Sequence, residues 1–121
     1  MNDLKTLRCA VVGVGRMGAH HARIYSGLEG VEFVGVVDQN EERRNDIVEE
    51  WGGKAFATVE ELIDAGVDAV TIATPTIYHF EAAEPLLDRG IGCLIEKPLA
   101  PTAEVATAIA ESAERGSAVL Q

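Results

Sequence analysis

Gly13, Gly15 and Gly18, in the stretch "GVGRMG", keep the spacing G-x-G-x-x-G, the arrangement in this chain best suited to hold a phosphate. Gly13 permits a tight turn out of a strand. Gly15 has no side chain where a pyrophosphate must approach the backbone, and Gly18 lets the following helix lie close on a sheet. Arg16 and Met17 stand at the start of that helix, where main-chain N–H groups without an intrahelical partner, helped by the helix dipole, face the anion. An acid at the end of the next strand is the second requirement. Asp38 meets it, somewhat beyond the offset of about 20 residues that the fingerprint leads one to expect. A carboxylate there accepts from the adenosine ribose hydroxyls and repels a 2′-phosphate, which favours NAD over NADP. Arg43 and Arg44 follow closely. They either accommodate a 2′-phosphate, which keeps NADP open, or form the solvated face of a helix.

A second group ends the apolar run "IGCLIE": Glu96, Lys97 and Pro98. This is the carboxyl end of an expected strand, the edge at which open α/β sheets bind ligands. A Glu-Lys pair there is costly unless it binds something. Lys97 would donate to a substrate hydroxyl and assist its deprotonation. Glu96 would accept from a nicotinamide ribose. The stretch "ATPT" lies at another strand end, with His79 just beyond it. His79 either meets a ribose hydroxyl or substrate, or caps and packs a helix. His20 and His21 are adjacent and so point to different sides of a helix; no metal site is expected from them. Cys9 and Cys93 sit in apolar runs with no CxxC spacing, which marks them as buried small hydrophobes in a reducing compartment.

These groups need elements to hold them in place. Apolar runs over 7–14, 31–38, 54–57, 68–74 and 91–96 read as strands. Residues 16–28, 40–52, 59–66, 76–90 and 102–116 read as helices, and 117–121 begins another strand. Thr58 and Glu61 have the spacing of a capping box. Thr102 is an N-cap, Gly116 a helix end, and Pro85 kinks its helix or marks a first turn. Strict β-α alternation with near-continuous apolar strands predicts a parallel sheet covered by helices on both faces.

The 121 residues are the size of one domain, and a hydrophobic fraction of 47% suffices for a core. A net charge of −10 offers no basic patch for nucleic acid. No apolar run reaches the ~18–20 residues of a membrane span. The opening "MNDLKTLRCAVV", with Asp3 early, has no leader pattern, so a cytoplasmic location is expected. The last strand stops as it starts, which suggests a piece of a longer protein.

Taken together, "GVGRMGAHHA", "VVDQN", "ATPTIYH" and "IEKPLA" resemble the glucose-fructose oxidoreductase, inositol dehydrogenase and MocA family (Gfo/Idh/MocA) over nearly the whole chain. The resemblance implies an α/β fold: a doubly wound parallel sheet of Rossmann type, three layers α-β-α, strand order 3-2-1-4-5-6. It implies NAD or NADP as cofactor, with Gly13, Gly15, Arg16, Met17 and Gly18 forming the phosphate loop and Met17 near the nicotinamide. Asp38 would take the adenosine ribose, Ala73, Thr74 and Pro75 the cofactor groove, and Glu96 the nicotinamide ribose. His79 matches the family's His after Thr-Pro-Thr, and His21 matches a position read as structural. Lys97 would act on the substrate hydroxyl, preceding a cis bond to Pro98. Residues 1–121 would then be a cofactor domain without its C-terminal substrate and oligomerisation domain. The parent would be a dehydrogenase of a sugar, inositol or related polyol, homo-oligomeric at full length. The alternative is a regulatory NAD(H)-sensing module, which has no need of Glu96-Lys97-Pro98.

Overall fold

The computed structural model describes residues 6–121; residues 1–5, and with them Asp3, lie outside the described residues. Strands β1 (Leu7–Val12), β2 (Val31–Val37), β3 (Lys54–Phe56), β4 (Ala69–Ile72) and β5 (Gly92–Ile95) alternate with helices α1 (Arg16–Gly27), α2 (Glu41–Trp51), α3 (Val59–Ala65), α4 (His79–Leu87) and α5 (Ala103–Gly116). The strands form one parallel sheet in the order β3-β2-β1-β4-β5. Past β5, Cys93 and Leu120 form an isolated parallel bridge, and the N–H of Ile95 donates to the Gln121 carbonyl at 2.8 Å. Residues 119–121 therefore run where a sixth strand of the expected order would lie.

Both sheet faces are buried, as the unbroken apolar strands require. Val11 and Val36 pack with Ala22 of α1 and with Ile47 and Val48 of α2 on one face. Ala10, Val12, Val70, Ile72 and Ile95 pack with Leu62 of α3, Leu86 and Leu87 of α4 and Ile109 of α5 on the other. Neighbouring residues along β1 thus serve opposite layers, the period-2 alternation of a strand.

Helix starts follow the sequence. The side chains of Asn40, Thr58 and Thr102 accept from the N–H groups of Arg43, Glu61 and Val105. Glu61 reaches back one residue further than a standard capping box, to the N–H of Ala57 at 2.8 Å. One expectation changes. The stretch 76–90 is not one helix: Pro75 holds an extended ψ of 148°, a 3₁₀ turn closes over Thr76–Tyr78, and α4 starts only at His79. The helix runs on through Pro85. At the other end of the chain, α5 ends at Gly116 as the sequence indicates, and Ser117 (φ 53°) takes the left-handed cap. Gly116 is also a contact residue, since a Cβ there would collide with the Leu87 carbonyl where α5 lies on α4.

Candidate cofactor site

Strand register assembles the site. Val37 pairs with Val12, Val12 with Ile72, and Ile72 with Ile95, so four strand ends form one row. The next residue after each is Asp38, Gly13, Ala73 and Glu96. The carboxyl edge of the sheet thereby brings together the glycine loop, Asp38, the segment from Ala73 and Glu96-Lys97, which the sequence places on separate segments.

Gly13 has φ 91°, a backbone conformation that side chains disfavour. The loop after β4 crosses directly over it: a Cβ on Gly13 would stand 2.7 Å from the Thr74 nitrogen. Gly18 packs on Gly13 from the other side, where a Cβ would collide with the Gly13 carbonyl. Above Gly15 there is open space, with nothing within 4 Å of a Cβ built there. Gly15 also caps α1 without a side-chain hydrogen bond, so the first-turn N–H groups of α1 have no side-chain cap acceptor. Arg16 and Met17 are both exposed beside this space. The shape is that of an anion cradle at a helix N-terminus.

Asp38 is tied into the cradle. Its Oδ2 accepts from the Val14 N–H and its Oδ1 from the Asn40 N–H, each at 2.8 Å. Each oxygen keeps a lone pair for a further donor. Arg44 is fastened to main chain, donating to the Asp38 carbonyl at 3.0 Å, and its guanidinium lies 3.6 Å from Glu41. Arg43 instead lines an open pocket of about 330 Å³ between the glycine loop and α2, together with Gly15, Arg16 and Asp46. Of the two arginines, Arg43 is the one that lines this pocket. A larger cavity of about 470 Å³, beside Arg8, Glu32 and Lys54, holds none of the expected site residues.

On the β4 side, Ala73 donates its N–H to the Val12 carbonyl at 2.8 Å, and Pro75 is exposed. The Thr74 hydroxyl oxygen is buried without a hydrogen-bond partner. Such an orphan is rare in folded proteins and marks a place where a ligand or water group is missing a counterpart.

Glu96 and Lys97, adjacent in sequence, have different surroundings. Glu96 is half-buried and its Oε1 lies 3.5 Å from His21 Nε2. His21 Nδ1 in turn lies 3.3 Å from the Thr71 hydroxyl, which bonds the Tyr25 hydroxyl at 2.7 Å. The chain of contacts runs from a half-buried tyrosine to the site carboxylate. Burial raises the Tyr25 hydroxyl above its ordinary pKa, while its bond to Thr71 acts in the opposite sense. Lys97 is exposed, with no carboxylate within ion-pair reach among the described residues. Its peptide bond to Pro98 is cis, as the resemblance implies.

His79 does not open onto the cleft. It is 1% exposed, and both ring nitrogens lie 2.9 Å from main-chain carbonyls, those of Leu99 and Thr74. Of its two sequence readings, the geometry is that of packing. His21 has more to it than its reading as structural. Its position on the α1 face shared with Gly18, Ala22 and Tyr25 is the signal that puts it against the sheet. His20 stays exposed beside Arg23. Among the described residues no three His, Cys, Asp or Glu side chains converge as metal ligands. Burial pushes the Cys93 thiol up to about 12 and raises Cys9 as well, so both sulfurs are held as neutral thiols.

Residues 7–121 match the model of the Gfo/Idh/MocA oxidoreductase family, described as an NAD-binding Rossmann fold. The chain belongs to this family. UDP-N-acetylglucosamine 3-dehydrogenase of Acidithiobacillus ferrooxidans is 40% identical, over 94% of this chain and 36% of that protein. Inositol 2-dehydrogenase of an Arthrobacter strain is 42% identical, over 92% of this chain and 34% of that protein. Among solved structures, GenD2 from gentamicin A biosynthesis, in complex with NAD, superposes with a TM-score of 0.89 at 32% identity, covering 99% of this chain and 35% of GenD2. The chain thus spans about a third of the length of the curated relatives it matches. No helix among the described residues is long and apolar enough to cross a membrane.

Proposed function

We propose that residues 1–121 form the dinucleotide-binding domain of a dehydrogenase that oxidises a hydroxyl of a sugar, inositol or related polyol, with NAD preferred over NADP. The observation that carries this reading is the open space over Gly15, floored by Gly13 and Gly18 and flanked by the Asp38 carboxylate. It fits a pyrophosphate at the N-terminus of α1 with an adenosine ribose beside Asp38. Arg16 and Met17 line the same opening, and Ala73, Thr74 and Pro75 form its opposite wall. The unpartnered Thr74 hydroxyl supports a polar ligand there.

Bound nicotinamide would supply the hydride acceptor or donor. The chain's own residues do the rest. Glu96, held from behind by His21, would accept from the nicotinamide ribose. Lys97, exposed and without an ion-pair partner among the described residues, would donate to the substrate hydroxyl and ease its loss of a proton. A lysine with no carboxylate partner among the described residues, on the ligand edge, favours an enzyme over a nucleotide sensor. The greater length of the relatives supports a second region beyond this domain, which would complete the substrate pocket. Fluorescence titration of the folded chain with NADH tests the reading; saturable binding is expected, and no binding at millimolar cofactor overturns it.

A further inference from the structure

The two walls of the cleft are the loop after β4, residues 73–76, and the loop after β5, residues 96–100. The sheet does not hold them together. Its last bond between these strands runs from the Glu96 N–H to the Ile72 carbonyl at 3.0 Å. Past that point no main-chain hydrogen bond joins the loops among the described residues. Pro75 and Pro98, one in each loop, have no N–H to extend the ladder.

His79 supplies the missing tie. Its Nδ1 lies 2.9 Å from the Leu99 carbonyl and its Nε2 2.9 Å from the Thr74 carbonyl. A carbonyl only accepts, so a ring nitrogen bonds its carbonyl only where it carries a proton, and the full two-point tie requires an N–H on both nitrogens. The ring is buried, so a ring N–H that lost its carbonyl would have no water to turn to, which makes the bond costly to lose. Thr74 is then pinned twice: Gly13 lies against its nitrogen and His79 holds its carbonyl. The late start of α4, after the 3₁₀ turn, is what brings residue 79 under both loops.

We propose that His79 is a positioning residue that clamps the Thr74 loop to the Lys97–Leu99 loop and thereby sets the spacing between the two walls of the cleft. Its consequence for the cofactor rests on the dinucleotide reading above; the clamp itself does not.

The test uses the 121-residue chain. By NMR, couplings across the hydrogen bonds are expected from His79 Nδ1 to the Leu99 carbonyl carbon and from Nε2 to that of Thr74; absence of either overturns the clamp. In His79→Leu, which keeps bulk without donors, the main-chain signals of Thr74, Thr76, Lys97 and Leu99 should shift together while those of β1 and α1 stay. The dissociation constant for NADH should rise at least tenfold, and His79→Gln, with one donor end, should fall between. Movement of one loop alone, or NADH affinity within twofold of the unchanged chain while both loops move, refutes the positioning role. If the unchanged chain binds no NADH, the dinucleotide reading falls, and the couplings and joint shifts still decide the clamp. If His79→Leu does not fold, the couplings and His79→Gln decide it.

Discussion

Asp38→Ala should damage two properties by separable amounts. The carboxylate accepts from the N–H groups of Val14 and Asn40 at equal distance, but the surroundings differ. Val14 is 4% exposed, so its N–H has little access to water once the carboxylate is gone. A lost bond from a buried donor to a charged acceptor costs about 1.5–3 kcal/mol. Asn40 is exposed, and water replaces its partner at little cost. The expected destabilisation is about 2 kcal/mol, which for a domain of this size lowers the melting midpoint by roughly 8 °C. Cofactor affinity should fall separately. Each ribose hydroxyl that loses a charged acceptor weakens binding by about 1.5–3 kcal/mol, or roughly 10- to 100-fold in the dissociation constant. NADPH should lose much less, because the same carboxylate repels its 2′-phosphate. Urea melts give the first quantity, and NADH and NADPH titrations below the melting range give the second. An unchanged melt would refute the loop anchor. Equal losses for the two cofactors would refute the ribose assignment.

Gly18→Ala sets a Cβ against the Gly13 carbonyl, and overpacking of this kind costs about 1–3 kcal/mol; α1 should lift from β1, with NADH binding weakened more than in an Ala substitution at exposed Gly27. Lys97→Ala should leave NADH binding by the chain within twofold, while in the full-length enzyme it should slow hydride transfer by about 10²–10⁴-fold; intact turnover would remove the proton-handling role. Because burial raises the Cys93 thiol from 9.0 to about 12, the unfolded chain gives up that proton first as pH rises. Stability should therefore be whole below pH 9 and decline through the interval up to 12, and Cys93→Ala should flatten the slope of the urea midpoint between pH 8 and 10.5.

Much of this site is readable in one dimension because its logic is local. The glycine spacing, the acid after the second strand and the Glu-Lys-Pro exit each lie on a short segment, and parallel register then aligns the segment ends. Side-chain direction across elements is what the sequence leaves hidden. Nothing in "ATPTIYH" says that a 3₁₀ turn delays α4 and turns His79 inward. Nothing in "EKP" says that Glu96 faces His21 rather than Lys97, since that depends on how α1 lies on the sheet. The reason for a glycine at position 116 has the same origin: the approach of α5 to α4 requires the missing side chain, while Ser117 takes the cap.

The contact between Gly13 and Gly18 also bears on how such a loop can change over time. Each position lacks room for a Cβ because of what stands opposite, the Thr74 segment over Gly13 and the Gly13 carbonyl over Gly18. A single substitution at either meets main chain rather than a yielding side chain, so no stepwise route leads away by way of one residue. Drift in cofactor preference would then have to enter through residues with free space around them, such as Arg16 and Arg43, leaving the stacked glycines as a fixed hinge in the lineage's accessible sequence space.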